Sequence, residues 1–262
     1  MTDKQEKLAR FGIGTKGFVY CLIGGLTVAT AIGAGGKKTG SSGALDTLGS
    51  QPFGQILLGL TALGLMGFVF WRLYQALADP EDKGDDAKGV MRRLGYASSG
   101  IFYSFLAFTA AKYAISGGGS SGGSGGNESI VSTLLSKPFG QILVGIMGAI
   151  FLGKALYQLY RAYSGKFKDK VQAAELDQKA EKLVLNSGYL GYTARGLVVL
   201  VISYLTFKAA FNANPESAGG TKDAFQFVQN EFGTIILAVI AAGLFCYGFF
   251  MFVKARYRTF EA

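Results

Sequence analysis

The chain has 262 residues, of which half are hydrophobic, and its mean hydropathy is positive at +0.30. Charged residues make up 16%, below the roughly 25% that is usual for soluble domains, so the composition argues against a soluble globular protein. The net charge is +9 and histidine is absent, which removes the commonest zinc ligand and the usual axial ligand of haem. We therefore predict no cofactor and no metal.

The chain begins with a polar segment, 1–9, which we expect to be a cytoplasmic lead. The first long apolar run follows, and part of it, 18–32, resembles the apolar region of a signal peptide. A similar helix recurs twice further along the chain, so we interpret this run as a structural span. A signal peptide is therefore not predicted.

Six apolar runs follow one another along the sequence. A helix needs about 20 residues to cross a bilayer, and each run reaches that length. The predicted spans are 13–32, 53–76, 96–115, 139–162, 190–210 and 232–253.

Two short motifs alternate with the predicted spans. Pro-Phe-Gly-Gln at 52–55 returns at 138–141 and, as Glu-Phe-Gly-Thr, at 231–234. Before each of these copies a glycine is followed by a second glycine five residues on: Gly12 and Gly17, Gly95 and Gly100, Gly191 and Gly196. A fixed internal repeat is a strong guide to architecture, so one unit of two helices is used three times.

The predicted fold is an all-α integral membrane protein with six transmembrane helices. Because each repeat holds two spans, the three repeats are parallel and are expected to be related by a pseudo-threefold axis. Short apolar segments at 44–48, 130–135 and 224–228 are expected to form interfacial helices. The predicted organisation is repeat 1 at 10–80, repeat 2 at 81–163, a cytoplasmic connector with a helix at 164–187, and repeat 3 at 188–262.

Most basic residues lie at the two chain ends and in the second and fourth loops. The positive-inside rule then places both termini in the cytoplasm. We interpret residues such as Lys16, Arg72, Arg161 and Arg195 as topology determinants and contacts to anionic lipid, and we predict no nucleic-acid partner.

Small residues mark close helix contacts in lipid, where packing replaces the hydrophobic effect. Residues at four-residue or eight-residue spacing on the even-numbered spans are predicted to pack against other helices: Gly59, Gly67, Gly145, Ala149, Gly153, Ala238 and Ala242. Cys21 and Cys246 lie within spans and are interpreted as small packing residues, without a structural disulfide.

Polar residues within spans are the candidate functional groups, because placing them in hydrocarbon is costly. Gln55, Gln141 and Thr234 occupy equivalent repeat positions, and they either cap helix starts or form a layer around a central vestibule. Lys112, Lys154 and Lys208 are predicted to be interface anchors whose side chains reach the headgroups. The predicted spans contain no carboxylate, and the sequence has no hydrolase or nucleotide-binding motif, so we predict that the protein is not an enzyme.

The tandem motifs resemble a bacterial membrane family, domain-of-unknown-function family 1206, from Arg10 to Arg258. Ile13 replaces the expected tyrosine in repeat 1, and Glu231 and Thr234 replace proline and glutamine in repeat 3. The resemblance implies a six-helix protein of the bacterial inner membrane and carries over no site residue.

The sequence leaves two functions open. The first is an accessory or scaffold subunit that binds the bilayer and associates with other membrane proteins, or with itself, through small-residue helix faces. The second is a channel, a transporter, or a protein that binds lipid or a small molecule along the pseudo-threefold axis.

Overall fold

The structure is a computed structural model, and it describes residues 3–34, 40–80, 82, 84–116, 125–165, 167 and 178–257. These residues form helices and no strand. The helices are α1 (Asp3–Ala31), α2 (Ser41–Gly49), α3 (Gly54–Leu77), α4 (Ala87–Ser116), α5 (Gly125–Leu135), α6 (Gly140–Tyr163), α7 (Gln178–Asn212), α8 (Thr221–Phe232) and α9 (Thr234–Tyr257), with a 3₁₀ turn at Pro215–Ser217. The prediction of an all-α chain is confirmed for this part of the sequence.

Five helices of the described part are long and apolar enough to cross a membrane, as expected of a multi-pass membrane protein. The qualifying segments are Ala9–Ala31, Gly54–Leu77, Gly140–Tyr163, Gln178–Asn212 and Thr234–Tyr257. The run predicted at 96–115 is helical within α4, but α4 does not qualify. Ser98, Ser99 and Lys112 lower its apolar character, so the sixth crossing stays a prediction.

The three short apolar segments predicted before the even-numbered spans are helical. They lie in α2, α5 and α8, and in each the residue eight positions before the repeated phenylalanine is fully buried: Leu45, Val131 and Ala224. Val131 packs in one cluster with Val144 of α6 and Ala209 of α7. Each short helix is therefore held by apolar contacts on one side.

The Phe-Gly turn begins α3 and α6 in the same way. Phe53 and Phe139 both have a φ of 61°, in the left-handed region, and neither caps its helix with a side-chain hydrogen bond. A Cβ on Gly54 would collide with the carbonyl oxygens of Leu48 and Gly49. A Cβ on Gly140 would lie 2.6 Å from the Cα of Leu135. The glycine is thus required because the short helix ends against the first turn of the span.

The third copy of the turn differs because its proline is missing. Proline disfavours a helical conformation in the residue before it, whereas Glu231 allows α8 to continue through Phe232. The left-handed backbone then falls one residue later, on Gly233, with a φ of 86°. Glycine adopts this conformation without the steric penalty that phenylalanine carries, so the degenerate motif forms a less strained turn.

The connector predicted at 164–187 lies partly outside the described residues, since 168–177 are among those not described. From Gln178 onwards the chain is helical, and α7 runs unbroken for 35 residues to Asn212. At 1.5 Å per residue this helix is about 52 Å long, longer than a bilayer core. The end of the connector and the fifth predicted span are therefore one helix.

The chain divides into two compact units that cut across the repeats. Unit 1 comprises Met1–Val19, Leu45–Gly119 and Met251–Ala262, and unit 2 comprises Tyr20–Ala44 and Ser120–Phe250. Unit 1 therefore contains the first part of α1 with α3 and α4. Unit 2 contains the rest of α1 with α5, α6, α7, α8 and most of α9.

Within repeats 1 and 3, equivalent glycines bring the two helices of the repeat together. In unit 1, a Cβ on Gly12 would lie 2.5 Å from the backbone nitrogen of Phe68. In unit 2, a Cβ on Gly191 would lie 2.6 Å from the Cα of Tyr247. These positions correspond when the repeats are aligned on their motifs, so the two repeats pack in the same way.

Contacts between successive repeats are also tight. In unit 1, a Cβ on Gly100 of α4 would lie 3.1 Å from the side chain of Leu73 on α3. In unit 2, a Cβ on Gly148 of α6 would lie 3.1 Å from the ring of Phe207 on α7, and the hydroxyl of Ser203 donates a 2.8 Å hydrogen bond to the carbonyl of Gly148. Small residues thus allow both close packing and a polar contact between helices.

Candidate functional site

The predicted polar layer lies at the starts of the even-numbered spans. Gln55 and Gln141 are exposed in the first turn of α3 and α6. Thr234 is half-buried, and its hydroxyl oxygen accepts a 3.1 Å hydrogen bond from the side-chain amide of Gln229. The residue at the N-cap of α3 is Phe53, so Gln55 does not occupy the capping position. A vestibule layer formed by these residues stays a prediction.

The three predicted lysine anchors have different surroundings. Lys112 and Lys208 are exposed near the ends of α4 and α7, where an ammonium group can reach the headgroups. Lys154 is half-buried within α6. Lys154 therefore differs from the other two in its degree of burial.

The predicted small-residue faces lie mostly away from the closest helix contacts. A Cβ on Gly59, Gly145 or Gly153 meets no described atom within 4 Å, and Ala149 and Ala242 are exposed, whereas Gly67 is buried and Ala238 is half-buried. The tight positions are instead Gly64 and Gly148, on a different side of the same helices. The space beside Gly59, Gly145 and Gly153 is open to lipid or to another molecule, and their role in association stays a prediction.

The two cysteines lie in unit 2, both partly buried and both free thiols. The Cys21 thiol lies 3.7 Å from the carbonyl oxygen of Phe245, next to Cys246 in the chain. A Cβ on Gly24, one turn further along α1, would lie 2.5 Å from the backbone nitrogen of Phe245. Small side chains suit such a close approach.

A group of cations and aromatic rings in unit 1, not singled out by the sequence, is the first candidate site. We call Lys16, Phe68, Arg72, Tyr96 and Tyr103 the lysine cluster. The Lys16 ammonium lies 5.1 Å from the centroid of the Phe68 ring and 5.3 Å from that of Tyr103. Lys16 is only 4% exposed, so three helices, α1, α3 and α4, meet around a buried charge.

Arg72 adds a second charge to the lysine cluster. Its guanidinium lies 5.0 Å from the Phe68 centroid and 5.0 Å from the Tyr96 centroid, and it donates a 2.9 Å hydrogen bond to the side-chain oxygen of the buried Gln75. Because Lys16 and Arg72 both border the Phe68 ring, their charges are separated by no more than about 10 Å. At that distance two like charges repel by about 1.7 kcal/mol at an effective dielectric constant of 20. Cation–π contacts offset part of this repulsion.

A second group of the same kind lies in unit 2. We call Tyr20, Arg161, Tyr192, Arg195 and Tyr247 the arginine cluster. The Arg195 guanidinium lies 5.2 Å from the Tyr20 centroid and 5.0 Å from that of Tyr247, and it donates a 2.8 Å hydrogen bond to the Tyr247 hydroxyl. Arg161 lies 4.7 Å from the Tyr192 centroid. The cluster contains two guanidinium groups supported by three tyrosine rings.

Three members of each cluster occupy equivalent positions of the repeat. In a motif-based alignment Lys16 corresponds to Arg195, Phe68 to Tyr247, and Tyr103 to Tyr20. In each cluster a cation on one odd-numbered span touches an aromatic ring on its partner helix and a tyrosine on a third helix. The remaining set of equivalent positions has Ser99, Lys154 and Val199. There the cation occupies the aromatic position, so the pattern is altered in repeat 2.

The second cations of the two clusters do not occupy equivalent positions, because Arg72 aligns with Met251 of α9. Arg72 and Gln75 of α3 align with Gln158 and Arg161 of α6, so the cation and the amide exchange places. Residues three apart lie on one face of a helix, which keeps the pair together in either order. The repeat alignment is a signal in the sequence that could have shown the equivalence of Lys16 and Arg195, although it gives no contacts.

Gln158 is the buried polar side chain of this face of α6. It is 5% exposed, and neither its amide nitrogen nor its amide oxygen has a hydrogen-bond partner among the described residues. It lies among Ala155 and Ala162, which are also buried. A buried amide without a partner costs roughly 1–3 kcal/mol, so a water molecule or a polar ligand group at this position would stabilise the fold.

Cations packed against aromatic rings can serve three purposes. They can link helices, hold an anion, or neutralise a headgroup at the membrane surface. Among the residues that the structure describes, no group of three or more cysteine, aspartate, glutamate or histidine side chains could bind a metal ion. Together with the long apolar helices, the clusters define the class: a multi-pass helical membrane protein with cations inside its helix packing.

Comparison with known proteins places this membrane protein in a family. The family model described as Domain of Unknown Function (DUF1206) matches three times in tandem, at residues 11–79, 94–165 and 190–258. The chain belongs to the DUF1206 family, and its three repeats are confirmed.

A relative in Bacillus subtilis (strain 168), named uncharacterized protein YxxB, is 32% identical over 254 residues, covering 97% of this chain and 91% of the relative. No solved structure matches this chain.

Proposed function

We propose that the protein is a non-enzymatic accessory or scaffold subunit of an assembly in the bacterial inner membrane. It would associate with a neighbouring membrane protein, or with a second copy of itself, through one face of α6. We name this face, which consists of Gly145, Ala149 and Gly153, the α6 small-residue face.

The observation that supports this proposal is that the α6 small-residue face has small residues with open space beside them. A Cβ on Gly145 or Gly153 meets no atom of the described chain within 4 Å, and Ala149 between them is exposed. In the most apolar stretch of α6, 22% of residues are buried, compared with 50% for the corresponding stretches of α1 and α9. The α6 helix therefore has the least internal cover of the candidate spans.

Lipid chains have no need of glycine on a helix surface, whereas a partner helix does. Glycine and alanine at four-residue spacing let two backbones approach closely, and van der Waals contacts then drive association in the bilayer. The bulky neighbours Ile142 and Leu156 are 61% and 54% exposed, so they can border such a contact.

The orientation that accompanies this proposal follows from the repeats and the charge distribution. Six spans, arranged as three parallel repeats about a pseudo-threefold axis, would place both termini in the cytoplasm. The equivalent composition of the lysine and arginine clusters supports the repeat symmetry.

Photo-crosslinking in native membranes tests the proposal. A photoreactive amino acid at Leu156, on the same side of α6, is expected to form an adduct with a membrane protein or with a second copy. Ala149→Leu and Gly153→Leu should each reduce the adduct about tenfold, since loss of close packing removes on the order of 1.4 kcal/mol.

Leu143→Phe is the matched control, because Leu143 lies roughly 120° around α6 from Ala149. This control is expected to leave the adduct unchanged. Adducts with lipid alone, or an adduct that persists in both variants of the α6 small-residue face, would refute the scaffold function.

A further inference from the structure

We propose that the lysine cluster is a binding site for a phosphate-bearing anion, with Lys16 and Arg72 as its two charged contacts. The site is independent of the α6 small-residue face and of the scaffold function. Its partner is defined by the chemistry of a phosphate group, either on a lipid headgroup or free in solution.

The first argument is the gathering of positive charge. Lys16 and Arg72 belong to different helices, and both are placed against the ring of Phe68. Cations are expensive within membrane helices, so a cation there is by default a candidate functional group. An anion between the two groups would reverse the sign of their mutual interaction, because each cation would then attract it.

The second argument is the type of group at each position. Arginine presents a planar fork of donors that matches two phosphate oxygens, and lysine provides a compact point charge. The side chain of Gln75 accepts a hydrogen bond from Arg72 at 2.9 Å and fixes the direction of the guanidinium. Gln75 is therefore a positioning residue for the proposed site.

The third argument concerns access. Arg72 is partly exposed, whereas Lys16 is 4% exposed, so the site has one accessible and one buried cation. Lys16 lies seven residues after the start of the apolar segment Ala9–Ala31, and Arg72 lies five residues before the end of Gly54–Leu77. Both lie roughly 8–10 Å along their helices from the ends of the apolar segments, within reach of a phosphate at the headgroup level.

The repeat supplies independent support. The arginine cluster in unit 2 rebuilds part of this arrangement, with Arg195 in place of Lys16, whereas its second cation, Arg161, comes from α6 and from a position that is not equivalent to Arg72. A cation is thus present at two of the three positions equivalent to Lys16, although its side chain differs, and the third position has Ser99. A requirement for positive charge accounts for this pattern better than a requirement for one packing shape.

The single tryptophan of the chain gives a direct measurement. Trp71 is 2% exposed and precedes Arg72, so its emission should respond to a ligand on the guanidinium. The full chain is placed in nanodiscs of phosphatidylcholine and titrated with inorganic phosphate or with short-chain phosphatidylglycerol. Saturable change in emission with at least one probe is expected for the wild-type protein.

Variants assign the response to the cluster. Lys16→Met and Arg72→Gln should weaken binding at least about tenfold, whereas Lys16→Arg, which keeps the charge, should bind within about threefold of wild type. Arg92→Gln is the matched control, because Arg92 is exposed on α4 and its substitution removes the same charge. Thermal unfolding with and without probe confirms folding and gives a second readout, since a ligand raises the Tm only of variants that bind it.

Each outcome decides the question. A response to phosphatidylglycerol alone identifies a lipid headgroup site, and a response to inorganic phosphate alone identifies a site for a soluble anion; both support the proposal. No saturable response to either probe would overturn it. Unchanged affinity in a folded Lys16→Met variant would also overturn it and would leave the cluster a helix-linking contact.

Discussion

At the scale of single residues, two glycines of α3 have opposite roles, which depend on the atoms that surround the Cβ position of each. Gly54 begins α3 against the end of α2, where a Cβ would collide with two carbonyl oxygens. Gly59, five residues later, has no described atom within 4 Å of its Cβ position. The first glycine is a steric requirement of the turn, and the second leaves room for a side chain.

Gly54→Ala is expected to destabilise the protein by roughly 1–3 kcal/mol, because the inserted methyl group forces backbone atoms apart. Gly59→Ala is the control on the same helix, and it should be neutral or stabilise by up to about 1 kcal/mol through its higher helix propensity. Thermal unfolding in detergent measures both. Equal effects of the two substitutions would contradict the close approach at the start of α3.

The sequence alone shows that glycine recurs at 54 and 140, and it shows that the Phe-Gly motif starts a helix. It does not show the left-handed backbone of Phe53, because phenylalanine rarely adopts that conformation and proline before it leaves several turns open. Nor does it show that Lys16 is buried against two rings. Counting Lys16 as a topology determinant gave its charge a role but missed its contacts.

At the scale of helices, the contact between α6 and α7 combines a close approach with a polar link. The Ser203 hydroxyl donates to the carbonyl of Gly148, which already belongs to the helical backbone of α6. Both residues are buried, so the bond lies in a region of low dielectric constant. It fixes the two helices in one register.

Ser203→Ala should therefore reduce stability by about 0.6 kcal/mol, the average measured for hydrogen bonds between membrane helices, and by no more than about 1.7 kcal/mol, the largest value measured. Ser104→Ala is the matched control, since the Ser104 hydroxyl bonds to Gly100 within its own helix and the residue is exposed. That control should change stability by less than about 0.5 kcal/mol. Unfolding by a denaturing detergent, followed by circular dichroism, compares the two variants.

Helix existence was predictable from apolar runs, whereas helix ends were less so. The short helices α2, α5 and α8 follow from their apolar segments. The extension of α8 through Phe232 depends on a single exchange of proline for Glu231, and the length of α7 depends on helix-forming residues before the apolar run begins. Hydropathy reports the membrane-embedded part of a helix and is insensitive to where a polar extension ends.

At the scale of the whole molecule, the number of crossings determines where the termini lie. An even number places both termini on one side, and an odd number places them on opposite sides. The helix α4 decides between these cases, because it is long enough at 30 residues but carries serines and a lysine within its apolar part. Its hydroxyl groups bond to backbone carbonyls of the same helix, as Ser104 and Thr109 show, which lowers the cost of placing them in lipid.

Labelling of single cysteines tests the predicted six crossings. In a background with Cys21→Ala and Cys246→Ala, a membrane-impermeant maleimide added outside the cell should label Asn214→Cys and not Asp86→Cys, both exposed positions. Tags at the two termini should both be protected until the membrane is opened. Termini accessible from opposite sides would exclude six crossings and, with them, three parallel repeats.

The fold class and the three repeats were within reach of the sequence because periodic motifs and apolar runs are properties of the chain itself. The clusters were not, because they depend on which helices become neighbours. Lys16, Phe68 and Tyr103 are far apart along the chain and meet only after α1, α3 and α4 have packed. Aligning the repeats identifies the equivalent positions, but only the three-dimensional arrangement gives the distances.

The helices that follow the three Phe-Gly turns have equal lengths, which bears on hydrophobic mismatch between the protein and the bilayer. The rings of Phe53 and Phe139 are each 79% exposed where α3 and α6 begin, and α3, α6 and α9 all have 24 residues, a rise of about 36 Å. Because the helices that follow the three Phe-Gly turns have the same number of residues, all three suit the same bilayer thickness. In a thinner membrane all three helices would have to tilt. The free-energy cost of mismatch would then be incurred in every repeat, which favours residence in membranes of suitable thickness.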